Sequence, residues 1–409
     1  MSFDLILRNA AIVDRDGVAD IGITRGRFAA IEAGLPGRAP EHDLGGRLVL
    51  PGFVETHIHL DKSCLLGRCN CAQGTLAEAV SEVAKAKRGF TAADVYARAA
   101  ATLEKAIQHG TNRMRTHVEV DPRVGLTSFH ALKQLKADYA WAIDLQLCVF
   151  PQEGLLDDPG CEAVLLQAME EGADLIGGAP YMDRDSHGQI AKIFAIAQQF
   201  DVDIDFHLDF SLDPAHLDLD EVCRMTALTG WGGRVAIGHV TKLSAMPKVD
   251  FEAAAKRLAD AGVAVTVLPA TDLFLTGRDS EFNVPRGVTP AHRLRALGVT
   301  CSISTNNVLN PFTPFGDASL IRMINLYANV AQVGTPDELA GCLDMVTSCS
   351  ARILGSKDYG IGVGHPADCV VLDCSTKAEA VCAIAPPLFG LKRGIRSFTR
   401  PAAVLHLPQ

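Results

Sequence analysis

From residue 48 to residue 305 the chain repeats one pattern. A short apolar run of strand length gives way to a stretch whose apolar positions recur every three or four residues. Leu48–His57, Thr111–Val118, Leu145–Phe150, Asp174–Gly178, Asp203–His207, Arg234–His239, Val263–Leu268 and Val299–Thr305 read as strands. Between the first two, Ala93–Gln108 reads as a helix with Val95, Ala99, Leu103 and Ala106 on one face, ended by Gly110-Thr111. An extra helix fits around Thr75–Lys87. Eight alternating units over about 250 residues predict an α/β fold, a (β/α)8 TIM-type barrel. A doubly wound open sheet is the runner-up, but no Gly-x-Gly-x-x-Gly follows a strand.

The two ends of the chain follow another pattern. Phe3–Val13 and Gly22–Ile31 read as strands, with turns at Arg15-Asp16-Gly17 and Leu35-Pro36-Gly37. Ala367–Asp373, Ala380–Ile384 and Ala402–Leu407 match them, with a break at Ala385-Pro386-Pro387. Neither end is long enough for a core of its own. The expected organisation is a β-sandwich from residues 1–48 and 358–409, and a barrel from 49–357.

Polar residues close the predicted strands. They are His57, His117, Gln152, Tyr181, His207, His239, Asp272 and Asn306, spaced by about 26 to 35 residues after a first gap of about 60. Catalytic groups of such barrels gather at these strand ends. His57 and His59 are the sharpest signal, because residues two apart in an extended segment point the same way and can share one ion. The bland alternative is two unrelated surface histidines.

Composition narrows the partners. The 409 residues are 48 % hydrophobic and carry a net charge of −10, with no long basic run, so nucleic acid is not expected as a partner. No apolar run approaches membrane length, so no membrane association is expected. Met1-Ser2-Phe3-Asp4 lacks the features of a secretion signal, and a cytoplasmic protein is expected. The twelve cysteines include no Cys-x-x-Cys pair and read as reduced, mostly buried residues. Cys64, just past the histidine pair, is a minor candidate for a pocket wall.

Ordered motifs along nearly the whole chain resemble the amidohydrolase superfamily, above all barrel-type cytosine deaminases and N-isopropylammelide amidohydrolases. They include Asp4-Leu5-Ile6-Leu7-Arg8-Asn9-Ala10, Leu50-Pro51-Gly52-Phe53-Val54, the His57/His59 pair and Arg115-Thr116-His117-Val118-Glu119-Val120-Asp121. Further along come Phe150-Pro151-Gln152-Glu153-Gly154, Asn310-Pro311-Phe312-Thr313-Pro314-Phe315-Gly316, Ser350-Ala351-Arg352 and Tyr359-Gly360-Ile361. The resemblance implies one divalent metal ion, zinc or iron, held by His57, His59 and His207. It implies a small heterocyclic substrate and a homo-oligomer. His239 would contact the hydrolytic water or the substrate. Gln152 would read a carbonyl beside a ring N–H, since an amide offers an acceptor and donors. Phe210, Asn307 and Phe312 would line the substrate site. Lys62, shared with the triazine relatives, would reach it, and His117 would hold a neighbouring group.

Two departures matter. Phe210 stands where cytosine deaminase carries a proton-shuttling glutamate, and Asn306 stands where it carries a metal-binding aspartate; Asn307 replaces the next aspartate. An amide accepts a proton poorly. His239 is then the best candidate base. Asp272, Asp61 and Lys62 are alternatives whose bland reading is a salt bridge or a solvated loop. Asp209 is expected to face away by strand alternation.

The favoured function is metal-dependent, deaminase-like hydrolysis of a C–N bond in a pyrimidine or triazine, with His239, Asn306 and Lys62 at the reacting centre. A catalytically silent or altered binding relative is the second reading, and a ring-opening cyclic amidase the third. The small zinc cytidine deaminases are excluded as a model, because no Pro-Cys-x-x-Cys occurs.

Overall fold

In the computed structural model, which describes residues 2–401 and 403–406, eight parallel strands form a barrel. In chain order they are β1 (Phe53–Ile58), β2 (Thr111–Glu119), β3 (Asp144–Phe150), β4 (Leu175–Gly178), β5 (Asp203–Leu208), β6 (Val235–His239), β7 (Val263–Val267) and β8 (Cys301–Ile303). Each strand is hydrogen-bonded to the next in sequence. The ring closes through a parallel bridge between Ile58 and Asn306. There the Asn306 amide donates to the His57 carbonyl at 2.9 Å, and the His59 amide donates to the Asn306 carbonyl at 2.8 Å.

The helices follow from sequence in the way the spacing requires. Ala92–Gln108 is capped by Thr91, whose hydroxyl accepts from the Asp94 amide, and it buries Val95, Ala99, Leu103 and Ala106. That apolar stripe packs into one continuous core between the ring of strands and the outer helices. Leu76–Lys87 is the extra helix between β1 and β2.

The chain ends form a second, mostly antiparallel sheet with its own core of Leu7, Ile21, Phe28, Val49, Val371 and Phe389. It curls until Arg27 bridges Pro366. Four details differ from the pattern reading. Leu48–His57 splits at Gly52: Leu48–Pro51 pairs with the terminal strands Leu5–Ile12 and Cys369–Leu372, and only Phe53–Ile58 enters the barrel. Gly22–Ile31 is the bend of a hairpin, Val18–Thr24 with Arg27–Glu32, because Arg25 and Gly26 turn with positive φ. Ala380–Ile384 lies in and just past a helix, Lys377–Cys382, whose start Thr376 caps. Of Ala402–Leu407, residues 402 and 407 lie outside the described residues and 403–406 form no strand; the last strands are Pro387–Lys392 and Ile395–Thr399.

Among the described residues, no helix is long and apolar enough to cross a membrane.

Candidate active site

The polar residues at the strand ends converge. A narrow cavity opens at the C-terminal mouth of the barrel, lined by His59, Lys62, Gln152, Tyr181, His207, Phe210, His239, Asn306, Asn307 and Phe312 together with Leu76, Thr271 and Leu275. Every residue expected at the site is here except His57, which lies beneath, fully buried. No aspartate or glutamate lines this cavity among the described residues.

His57, His59 and His207 aim their Nε2 atoms at one another. The His57–His207 and His59–His207 separations are 3.1 and 3.0 Å. Ligands at 2.0–2.1 Å around a tetrahedral ion stand about 3.3–3.4 Å apart, so the spacing fits one cation. Burial, reinforced by neighbouring imidazoles and, at His59 and His207, by Lys62, pushes all three pKa values well below the ordinary histidine value. These shifts favour the neutral ring, the form that metal ligation requires. Stacking fixes their planes: His57 lies 3.8 Å from His117, and His207 lies 4.6 Å from Phe150, centroid to centroid. The donor set suits a divalent ion such as zinc or iron.

Asn306 sits above this triad. Its backbone closes the ring of strands with φ of +64°, and its Oδ1 is buried without a hydrogen-bond partner among the described residues. The replacement of the expected aspartate thus leaves an oxygen in place and removes its charge. Phe210 packs edge-on against His239, with centroids 4.8 Å apart.

His239 has a partner. Its Nδ1 lies 2.6 Å from Oδ1 of fully buried Asp272, in the helix Pro269–Leu275 that follows β7. Burial raises the Asp272 carboxyl above its ordinary value, although His239 opposes the shift. The same strand end stores strain: His239 and Val240 both have positive φ, +70° and +44°. Left-handed geometry is rare for a β-branched residue. The Val240 carbonyl is held by the Thr289 hydroxyl at 2.8 Å.

Lys62 is fully buried beside the cavity. Its Nζ donates to Glu119 Oε1 at 2.6 Å and to Gln152 Oε1 at 3.0 Å, and it lies 4.6 Å from the Phe312 ring centroid. Glu119 also meets Lys87 at 3.3 Å, and Lys87 pairs with Asp121 and Glu153. Burial pushes the Glu119 carboxyl up, but the two lysines outweigh it and hold it below its ordinary value. The Asn310-Pro311-Phe312-Thr313 motif serves this corner. Asn310 donates to the Lys62 carbonyl and to Asn307 Oδ1, and accepts from the Phe312 and Thr313 amides.

Several residues named as alternatives lie elsewhere. Asp61 accepts from the Glu119 amide at 2.9 Å, a positioning contact. Asp209 caps the helix Asp218–Thr229 through the Asp218 and Leu219 amides. Cys64 turns toward Thr102.

Sequence reading missed three buried carboxylates, Glu55, Glu119 and Asp205. Asp205 is held by Arg115 at 2.9 Å and lies 3.5 Å from His117 Nε2. Burial raises its pKa, but His117 and Arg115 more than reverse the effect. Glu55 accepts from the His57 and Thr305 amides across the closing seam. Each lies two residues from a strand-end histidine: Glu55 from His57, Asp205 from His207, Glu119 from His117. The period-two rule that paired His57 with His59 also points to them.

A family model described as "Amidohydrolase family" matches residues 41–138 and 128–388. The chain belongs to the amidohydrolase family. As a member it is a deaminase-like hydrolase of carbon–nitrogen bonds other than peptide bonds. It is 29 % identical over 401 residues to N-isopropylammelide isopropyl amidohydrolase of Pseudomonas sp. (strain ADP), covering 96 % of each chain. It is 30 % identical over 368 residues to pterin deaminase of Rhizobium rhizogenes, covering 88 % of this chain and 83 % of that one. Its fold superposes on 5-methylcytosine deaminase from Klebsiella pneumoniae, liganded with 5-fluorocytosine, with a TM-score of 0.94 and 28 % identity over 98 % of this chain and 99 % of that one.

Proposed function

We propose that this amidohydrolase removes an amino or alkylamino group from a small nitrogen heterocycle of the pyrimidine or triazine class, with one divalent ion on His57, His59 and His207. One observation carries the reading. The three imidazole nitrogens lie within 4.8 Å of one another, and His239, backed by buried Asp272, lines the cavity beside them.

A divalent ion held there supplies the Lewis acidity that makes water a nucleophile near neutral pH. The chain's own residues do the rest. Asp272 accepts a hydrogen bond from the Nδ1–H of His239 and holds that tautomer, so Nε2 carries the lone pair and can accept a proton from the attacking water. His239 then returns that proton to the leaving nitrogen. This pair supplies the base that Asn306 and Phe210 do not. Asn306 Oδ1 offers a neutral oxygen beside the ion or the substrate. Phe210, Phe312 and Leu275 wall the ring and exclude water. Lys62 and Gln152 hold its polar edge.

The intact His239–Asp272 pair argues against a silent relative, which would have no need of a buried, desolvated carboxylate behind its histidine. We also propose a cytoplasmic homo-oligomer with zinc or iron as the ion. The test is metal analysis of purified protein, followed by ammonia or amine release across pyrimidines, triazines and pterins. About one equivalent of metal with turnover on at least one class is expected. A metal-replete protein inert on every class would overturn the proposal.

A further inference from the structure

The chain that leaves Asp272 comes straight back to hold His239. His239 ends β6 and Asp272 follows β7, so no single element fixes the 2.6 Å between them. The segment 276–289 joins the two places. At its start, the Thr276 hydroxyl donates to the Asp272 carbonyl at 2.6 Å. At its end, the fully buried Thr289 hydroxyl donates to the Val240 carbonyl at 2.8 Å and lies 3.3 Å from the His239 carbonyl. Among the described residues, Thr289 is the one side chain hydrogen-bonded to the backbone of His239 or Val240. Gly287 lets the two ends meet: its φ of +65° is left-handed, and a Cβ there would collide with the Thr276 side chain.

We infer that Thr289 is a positioning residue for the proton-transfer pair, stapling the strained end of β6 to the segment that follows Asp272. The inference rests on the proposed hydrolase reading and adds a residue to its machinery. The reason lies in the backbone. His239 and Val240 both hold positive φ, and a β-branched residue stays there only where its surroundings over-determine it. A hydroxyl placed between the two carbonyls fixes the planes of both peptides. Without it, Val240 can relax to negative φ, and the peptide that rotates is the one attached to His239. The imidazole then swings relative to Asp272, whose carboxylate is held separately, by the Leu268 amide on Oδ2 at 3.3 Å. The Leu243 amide also donates to the Val240 carbonyl, at 3.0 Å, but it belongs to the same turn and cannot set a distance to another strand. Thr289 is not part of the cavity wall, so it acts through His239.

The pair reports its own geometry. A proton held at 2.6 Å between an imidazole and a carboxylate gives a far-downfield proton NMR resonance, assigned by its absence from H239Q. The zinc-loaded full chain is expected to show it. T289V keeps the volume of the side chain and removes the donor. Its downfield resonance is expected to broaden away, and kcat for amine release to fall about tenfold or more with KM within about threefold of wild type. T289S restores the hydroxyl and is expected to recover the resonance, with kcat within about threefold of wild type. G287A leaves Thr289 in place but forces Thr276 out of the neck, and is expected to act as T289V does. Bound zinc should stay at the wild-type level in all three.

A wild type without the resonance, or a T289V protein that keeps it, would overturn the inference. So would a rise in KM at unchanged kcat. A residue that only stabilised the fold would lower Tm and leave the resonance and kcat of the folded protein unchanged, and that result also counts against the staple. Should T289V fail to fold, G287A decides by the same signals. The resonance does not depend on turnover, so the two claims fail separately. Its loss in T289V, with no amine released from any heterocycle by the wild type, would sink the hydrolase alone. Amine release at equal kcat by wild type and T289V, with the resonance intact, would sink the staple alone.

Discussion

Replacing Asp272 by asparagine tests the proton-transfer pair with little change of shape. The contact is short, at 2.6 Å, and Asp272 is fully buried, so solvent does little to screen it. A hydrogen bond to a charged group contributes about 1.5–3 kcal/mol. It does so most when His239 carries the proton, and one decade in rate is about 1.4 kcal/mol. D272N is therefore expected to lower kcat about 10- to 150-fold, with a much smaller effect on KM. Stability should move the other way. Burial raises the Asp272 carboxyl, so the folded state holds this proton more tightly than the unfolded state. Its contribution then declines as pH rises from the unfolded carboxylate value, about 3.9, through the raised folded value. An amide has no proton to lose, so D272N should be as stable as the wild type at pH 7, or more so. The assays are steady-state amine release at pH 7 and thermal unfolding at several pH values. A kcat within threefold of wild type refutes the role given to the pair. A large fall in Tm alongside lost activity refutes the claim that the change is local.

Other expectations follow from the same geometry. H59A or H207A should drop bound metal from about one equivalent to below about a tenth, by elemental analysis, with the circular dichroism spectrum kept. N306D restores a charge to an unpartnered oxygen, and should slow metal loss to a chelator. K62M removes the closer of the two cations on buried Glu119, and should cost about 3 kcal/mol in chemical denaturation; a cost under about 0.5 kcal/mol contradicts the buried network. Asp94 is held down to about 2, first by its hydrogen bond from Arg68 and then by Arg98. Its folded pKa is depressed, so the stability it confers is full above about pH 4 and lost toward pH 2. The wild type should exceed D94N in thermal stability at pH 5 and match it at pH 2.

The barrel was legible because its signals are local. The helix Ala92–Gln108 carries its apolar stripe and its cap in sequence, and seven of the eight strands fall within three residues of their expected starts. The terminal sheet was harder, because strands there pair across most of the chain and single segments carry little pattern. Ala380–Ile384 shows the cost: five apolar residues in a row suit either state, and Thr376 as a cap decides for helix. At the site, residue types announced themselves at strand ends, but partnerships did not. Nothing in sequence places Asp272 against His239 or Lys62 against Gln152, because those contacts join side chains 33 and 90 positions apart. The period-two rule, carried back from each histidine, would have exposed Glu55, Glu119 and Asp205.

The seam between β1 and β8 has a consequence for biogenesis. His57 and His59 leave the ribosome long before Asn306, and the hydrogen bonds that fix them come from residues near position 305, some 250 positions later. A nascent chain lacking its last βα unit therefore presents two imidazoles on a strand paired on one side only, with β2. The proposed metal site would be framed on both sides of β1 only once β8 has been made, so cofactor loading would report that the ring has shut.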